Sequence, residues 1–324
     1  MTGPMAQILC APMMDWTDRH CRYLLRLVSP GTGLYTEMVT ATAILNGPRA
    51  RLLAFDPSEH PVAVQLGGSD PDQMARATAY CSAAGYDEIN INVGCPSDRV
   101  QSGRFGACLM ARPGLVADCF RAMQAEADVP VTVKTRIGID DQDSYEFLAR
   151  FVETVASAGC RTFIVHARIA ILEGLSPKEN RAVPPLDYER VARLKAAFPS
   201  LSIVVNGGID DMVAVGRHLE DFDGVMIGRR AYQDPYFLAE LEQRFLSGAA
   251  PPDRSSVVER MLPYIERELA NGERLSHIAR HMLGLYAHQA GARAWRRYLS
   301  EHMHRDGADG STLLEALDAL AQAA

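Results

Sequence analysis

Val131-Thr132-Val133-Lys134-Thr135 leads through an amphipathic stretch, Ser144–Ala158, to Thr162-Phe163-Ile164-Val165-His166. Two short β-branched runs separated by a helical pattern describe a strand–helix–strand unit, and strands joined this way run parallel. The rhythm continues in both directions. Upstream lie Gln7–Ala11, Leu34–Glu37, Val62–Leu66 and Ile89–Asn92; downstream lie Ser202–Asn206 and Gly224–Ile227. Helical patterns at Pro71–Ala84, Pro113–Ala127 and Tyr188–Ala197 alternate with them. Eight such units over about 240 residues predict an α/β fold, a closed (β/α)8 TIM barrel. An open doubly wound sheet is the alternative, and it usually has fewer units.

The strand ends carry a chemical signal. Glu37, Gln65, Asn92, Lys134, His166, Asn206 and Gly228 stand at or near the carboxyl ends of the runs. Barrel enzymes place their chemistry there. Wet strand ends favour polar residues in any protein, but that explains Asp and Ser better than Gln, Asn, Lys and His.

The barrel pattern stops near Phe245, and Ser247-Gly248-Ala249-Ala250-Pro251-Pro252-Asp253 reads as a linker. The expected division is a catalytic barrel over 1–246 and a small helical bundle over 247–324. The chain has 324 residues and a formal net charge of −7, which argues mildly against a nucleic-acid partner. That average hides an asymmetry. Between Arg274 and Arg305 there are six arginines and one acid, Glu301, and five histidines lie in the same stretch. Trp295 and Tyr298 interleave with the arginines. Such a patch suits phosphate backbones and stacked bases; a solvated helical face is the plainer reading.

Seven cysteines at wide spacings include no Cys-x-x-Cys pair, so neither a disulfide framework nor a zinc site is expected. No long uncharged apolar run predicts a membrane span, and Met1–Gln7 lacks the features of a signal peptide. A cytoplasmic, monomeric protein without a metal is the expectation.

Asn206-Gly207-Gly208 follows the seventh run and Gly228-Arg229-Arg230 the eighth. Barrels often bind phosphate between these two loops, where glycines admit the anion and an arginine adds charge. Two tight turns would look the same. Gly31-Thr32-Gly33 precedes a strand instead of following one, so it is no dinucleotide fingerprint. Lys134 could form a Schiff base or stabilise an anion. His166 could act as a base, ligand or hydrogen-bond donor. Together with Gln65 and the phosphate loops they suit flavin mononucleotide (FMN), whose ring needs polar partners and a cation near N1. Cys95 lies just past the fourth run, within Asn92-Val93-Gly94-Cys95-Pro96. A lone cysteine is more often an inert small hydrophobe than a catalyst. An ordinary thiol titrates near 8.5, so one at a barrel mouth can donate a proton without tuning.

These residues resemble the tRNA-dihydrouridine synthases. The resemblance rests on Ala11-Pro12-Met13, Tyr35-Thr36-Glu37-Met38, Gln65-Leu66-Gly67-Gly68, Asn90 through Pro96, Val133-Lys134-Thr135-Arg136, His166-Ala167-Arg168, Asn206-Gly207-Gly208 and Gly228-Arg229. It covers nearly the whole chain in family order. Leu175 through Arg181, followed by Pro184-Pro185-Leu186-Asp187-Tyr188, is similar to the subgroup acting at D-loop positions 20 and 20a. Ile169-Ala170-Ile171 is the least typical stretch; a longer or aromatic residue is expected there.

The resemblance implies a role for each residue. Pro12, Met13 and Met14 would contact the flavin through backbone; Gln65, Lys134 and His166 would hold its ring and ribityl chain. Asn206, Gly207, Gly208, Gly228 and Arg229 would hold its phosphate. Asn92 would orient the target uracil and Cys95 would be the general acid. Lys178, Arg181, Arg293 and Arg296 would contact tRNA. NADPH (or NADH) would reduce the FMN, which would pass a hydride to C6 of a uridine while Cys95 protonates C5. Three rivals remain at this point. They are an FMN barrel acting on free pyrimidines, a Schiff-base aldolase using Lys134, and a tRNA-binding protein without catalysis.

Overall fold

A computed structural model describes residues 7–97, 100 and 103–324. Most of the N-terminal stretch read for a leader lies outside the described residues. Eight strands alternate with helices: β1 Ile8–Cys10, β2 Leu34–Thr40, β3 Val62–Gly67, β4 Glu88–Val93, β5 Val131–Arg136, β6 Thr162–His166, β7 Ser202–Asn206 and β8 Gly224–Ile227. Every neighbouring pair is parallel, in the order β1-β8-β7-β6-β5-β4-β3-β2. The ring closes just before β2, where Cys10 N donates to Gly33 O at 2.8 Å and Gly33 N to Ile8 O at 2.9 Å. The fold is the (β/α)8 barrel.

Local signals set the helix boundaries. Asp70 caps Pro71–Ala84 by accepting from Gln73 N, and Gly85 ends it in a left-handed conformation. Ser144 caps Tyr145–Ser157 through Phe147 N, and Asp187 caps Tyr188–Ala197 through Arg190 N. Each such cap contributes about 1 kcal/mol.

The strands are buried on both faces, as parallel sheets require. Within the ring, Leu9, Ala11, Tyr35, Ala63, Ile164, Val204 and Met226 form an apolar cluster, with Met13 packed against it. The interior faces of β3, β4 and β5 instead carry Gln65, Glu88, Asn90, Asn92 and Thr132, all buried.

The chain divides into two compact units. One comprises 1–14 and 33–228; the other comprises 15–32 and 229–324. The division falls at the end of β8 instead of at the Ser247–Asp253 stretch, and side-chain pairing explains why. Glu242, on the helix Tyr236–Phe245, accepts from Ser29 Oγ at 2.6 Å and from Gly31 N at 2.7 Å. Arg19 pairs with Glu268 at 2.8 Å, and Asp18 with Arg280 at 2.7 Å and His281 at 3.0 Å. Burial alone would push the Asp18 carboxyl up; hydrogen bonds from His281, Cys21 N and Arg280 outweigh it and hold the group well below the usual carboxylate range. The helices beside the supposed linker therefore belong to the second unit, together with Arg19–Val28.

The second unit corrects one expectation. Trp295 is fully buried and its Nε1 donates to Met282 O at 3.0 Å, so it is a core residue and offers no face to a base. Three arginines near it, spaced i, i+3 and i+4 from Arg293, behave differently. Arg293, Arg296 and Arg297 are exposed along the helix Ala292–His302, on one side of it. Part of the basic stretch is neutralised internally, since Arg280 and His281 meet Asp18 and His277 meets Glu273.

Candidate active site

The strand register brings the singled-out side chains into one ring. Asn92 stands beside Lys134, Arg136 beside His166, and His166 beside Asn206. Gln65 lies next to Asn90 on the neighbouring strand.

Asn92 shapes the cysteine loop. Its Oδ1 accepts from Gly94 N at 3.1 Å and from Cys95 N at 3.0 Å. Its Nδ2 donates to Gln65 Oε1 at 2.8 Å. Cys95 is half-buried, its Sγ is 3.5 Å from Ser97 Oγ, and its carbonyl accepts from Ala107 N at 3.0 Å. The thiol thus sits on a loop whose backbone is pinned on both sides.

Arg136 had no assigned role in the sequence, yet it ties three segments together. Its Nε donates to Gly94 O at 3.0 Å, and its Nη1 to Ile169 O at 2.9 Å and to Asn180 O at 3.0 Å. Burial pulls its pKa down to about 10, which leaves it charged at neutral pH. Asn180, fully buried, then organises the segment before it, donating to Ile171 O and Leu175 O and accepting from Ile171 N. The unusual Ile169-Ala170-Ile171 stretch has a structural reason. Ala170 is fully buried in a parallel bridge with Ile139, where a longer side chain would have to be accommodated in a packed interior. Lys178 and Arg181 are exposed on the same segment.

Lys134 Nζ donates to Asn206 Oδ1 at 3.1 Å, while Asn206 Nδ2 donates to Met226 O at 2.7 Å. The Asn206 side chain thus holds Lys134 with its oxygen and uses one of its two N–H donors on the β8 backbone. Burial, with the nearby Arg136 charge, brings the Lys134 pKa to about 7. His166 is held neutral, well below its ordinary value, by burial and by Arg136, Lys134, Arg168 and Arg181. All four neighbours are basic side chains, three of them arginines, so positive charge gathers here although the chain as a whole is acidic.

The phosphate-loop candidates are placed as follows. Gly207 and Gly208 both have positive φ, 112° and 66°. A Cβ on Gly208 would meet Leu186 at 2.5 Å, and one on Gly207 would meet the His166 ring at 3.2 Å. Only glycine fits both the backbone shape and the space. At Gly228 a Cβ would meet no atom within 4 Å. Arg229 is exposed at the start of Arg229–Gln233, in the second unit. Pro12 and Met13, just past β1, are half-buried, and Met14 is exposed.

The residues fit a flavin by observations independent of sequence motifs. His166 Nδ1 is buried without a hydrogen-bond partner. Lys134 uses one of its three N–H donors on Asn206. Buried polar groups are rarely left so, and a polar ring system supplies the missing acceptors and donors. Among the described residues no group of His, Cys, Asp or Glu is arranged to hold a metal ion, and no helix is long and apolar enough to cross a membrane.

The family model for dihydrouridine synthase (Dus) matches residues 9–324. The chain belongs to the dihydrouridine synthase family. Similar relatives carry the name tRNA-dihydrouridine(20/20a) synthase. The protein from Vibrio cholerae serotype O1 is 58% identical over 309 residues, covering 95% of this chain and 94% of its own. The one from Escherichia coli K12 is 58% identical over 313 residues, covering 96% and 90%. Among solved structures, 2-naphthoyl-CoA reductase in complex with 2-naphthoyl-CoA aligns with a TM-score of 0.55 at 11% identity. It covers 74% of this chain, and the chain spans about half, 51%, of that structure. That likeness concerns the fold alone. As a dihydrouridine synthase, the chain is an oxidoreductase of the tRNA-modifying kind.

The reading from sequence missed Arg136, Asn180, Asn90, Thr132 and Glu88. A signal for the last three was present. In a strand, residues two apart share a face, so Glu88 and Asn90 had to lie on the same side as Asn92.

Proposed function

We propose that this enzyme reduces the C5=C6 bond of uridines in the tRNA D-loop, at positions 20 and 20a, to 5,6-dihydrouridine. Relatives of that name at 58% identity over nearly the full length support the substrate. One structural observation carries the chemistry: Asn92, which would hold the uracil, also binds the backbone of Cys95, which would protonate it.

FMN is the cofactor these residues would hold. Gln65, Lys134 and His166 would take its ring and ribityl chain, with Pro12, Met13 and Met14 along its edge by backbone. Gly207, Gly208, Gly228 and Arg229, the next residue in the chain, would take its phosphate, and Asn206 would act through Lys134. When bound and reduced at the expense of NADPH, the flavin supplies a hydride for C6 of the uracil. Hydride addition builds negative charge at C5, and the Cys95 thiol delivers the proton there. The pinned loop keeps the thiol from wandering. The target base must leave its stack, at a cost of a few kcal/mol. Lys178 and Arg181, and Arg293 and Arg296 of the helical unit, would offset that cost through phosphate contacts.

The decisive assay supplies purified protein with FMN, NADPH and tRNA lacking dihydrouridine, beside parallel reactions on free uracil and orotate. Dihydrouridine at positions 20 and 20a of tRNA alone is the expected result; turnover of the free pyrimidines with no product in tRNA would overturn it. Replacing Arg293 and Arg296 with alanine is expected to weaken tRNA binding and to flatten its dependence on salt, each lost phosphate contact reducing the log–log slope by about 0.7–0.9. An unchanged slope would remove these arginines from the interface.

A further inference from the structure

Below Asn92 the polar groups of the barrel interior form one unbroken hydrogen-bonded series. Asn92 Nδ2 donates to Gln65 Oε1 at 2.8 Å, and Gln65 Nε2 to Asn90 Oδ1 at 2.8 Å. Asn90 Nδ2 donates to Thr132 Oγ1 at 2.8 Å, and the Thr132 hydroxyl to Glu88 Oε1 at 2.6 Å. The Tyr35 hydroxyl donates to the same Glu88 oxygen at 2.5 Å, beside the series instead of within it. Gln65, Glu88, Asn90 and Thr132 are each no more than 3% exposed.

The series has a polarity, and both of its ends enforce it. At the top, Asn92 Oδ1 is committed to two backbone N–H groups, so its NH2 must face Gln65. At the bottom, Glu88 Oε1 already takes the Tyr35 hydroxyl and as a carboxylate oxygen can only accept, so Thr132 donates to it and itself accepts from Asn90. Each amide between has a single orientation that satisfies both neighbours. Turning any one over sets N–H against N–H or oxygen against oxygen in a buried place, at a cost comparable to a lost buried hydrogen bond. Burial pushes the Glu88 pKa up, against the pull of Thr132 and Tyr35; because two hydroxyls already donate to Oε1, a proton taken up by the acid belongs on Oε2 and leaves Oε1 an acceptor. The series is not a proton wire, because three of its members, Asn92, Gln65 and Asn90, are amides.

We infer that Thr132, Asn90 and Glu88 are positioning residues of the reaction, which through Gln65 lock the orientation of the Asn92 amide and thereby the backbone of the Cys95 loop. This rests on the roles proposed above for Asn92 and Cys95. It also fixes what Asn92 can recognise. Its oxygen is fully used and one Nδ2–H goes to Gln65. The remaining Nδ2–H is a donor, so Asn92 meets a substrate ring at a carbonyl oxygen and rejects an amino group in that place.

The test compares Thr132→Val, which keeps the shape but removes the hydroxyl, with Thr132→Ser, which restores it, and Tyr35→Phe, which leaves the series intact. Three quantities are read: the thermal midpoint, kcat and KM for dihydrouridine formation in tRNA, and the iodoacetamide alkylation rate of Cys95, located by peptide mapping in protein without tRNA. Thr132→Val is expected to lower kcat tenfold or more with KM within about threefold. The same variant should change the Cys95 alkylation rate at least threefold. Thr132→Ser is expected to rescue both, and Tyr35→Phe to leave both within twofold. If the valine variant does not fold, Thr132→Ala gives the same readouts. Wild-type kcat and alkylation in Thr132→Val would overturn the inference, as would equal losses in Tyr35→Phe. The alkylation arm uses no substrate. Lack of product from the wild-type protein therefore counts against the proposed function, and an unchanged alkylation rate counts against the series.

Discussion

The two sides of the barrel interior obey different rules. On one side Leu9, Ala11, Ile164, Val204 and Met226 fill space. Their contacts have no direction, so any set of apolar groups with the same volume would serve nearly as well. On the other side, along β3 to β5, Gln65, Glu88, Asn90, Asn92 and Thr132 meet through hydrogen bonds of 2.6–2.8 Å, each with a required donor and acceptor. A change there cannot be absorbed by repacking, because it leaves a buried polar atom without a partner. The first side supplies stability, and the second spends some of it to hold a few atoms in fixed places.

The largest expected effect tests whether the chemistry belongs wholly to the polar side. Cys95→Ala at its mouth should cost about 10²–10⁴ in turnover, the usual value of a positioned acid, with flavin binding and thermal midpoint retained. Ile164→Ala, on the apolar side, should do the reverse. It should lower stability by about 2–5 kcal/mol by opening a cavity, while turnover per folded molecule stays within about twofold. Stopped-flow assays beside urea titrations measure both. A catalytic collapse in Ile164→Ala without loss of stability would show that the sides are not separate.

A smaller effect concerns the cost of the polar side. In the unfolded chain Lys134 titrates near 10.5; in the folded, ligand-free protein, near 7. The unfolded state therefore binds the proton more tightly. Folding is penalised most fully below pH 7, and stability rises with pH between about 7 and 10.5. Lys134→Met removes the penalty. The ligand-free variant should be more stable than the wild type by about 1–3 kcal/mol at pH 7 and below, with the gap closing toward pH 10. Its affinity for FMN should fall. A gap that widens with pH would contradict the assignment of buried charge to Lys134.

The contrast also explains what could be read from the sequence. The strands were legible because β-branched runs alternate with helices whatever their contents; β6, β7 and β8 fall at Thr162–His166, Ser202–Asn206 and Gly224–Ile227, the limits expected. Residues at the strand ends were legible because barrel geometry puts them at one mouth. Glu88 was passed over although it shares a strand face with Asn90 and Asn92, because an acid before an apolar run looks like a solvated strand start. Its burial depends on Tyr35 and Thr132, which stand 53 and 44 positions away. Arg136 was hidden differently. Its three acceptors are backbone carbonyls, at Gly94, Ile169 and Asn180, and a carbonyl leaves no mark in a sequence. The same holds for the second unit, where the tie from Glu242 to Gly31 N moved the boundary away from the Gly/Pro-rich stretch.

Tyr35 stands on the border between the two sides. Its ring belongs to the apolar cluster and its hydroxyl reaches Glu88. Burial and the neighbouring Glu88 push the phenol pKa far up, so the hydroxyl is a donor at neutral pH. Tyr35→Phe removes one of two donors to Glu88 Oε1 and leaves the Thr132 link in place. The expected loss is about 1 kcal/mol, the net value of a typical hydrogen bond. Calorimetry gives that number. Kinetics on the same variant decides which side the residue serves, because a ring that only fills space leaves the rate alone. If Tyr35→Phe slowed the reaction tenfold, any lost donor to Glu88 would have the same effect as a break in the series, and the positioning role inferred for the Thr132 link would fall.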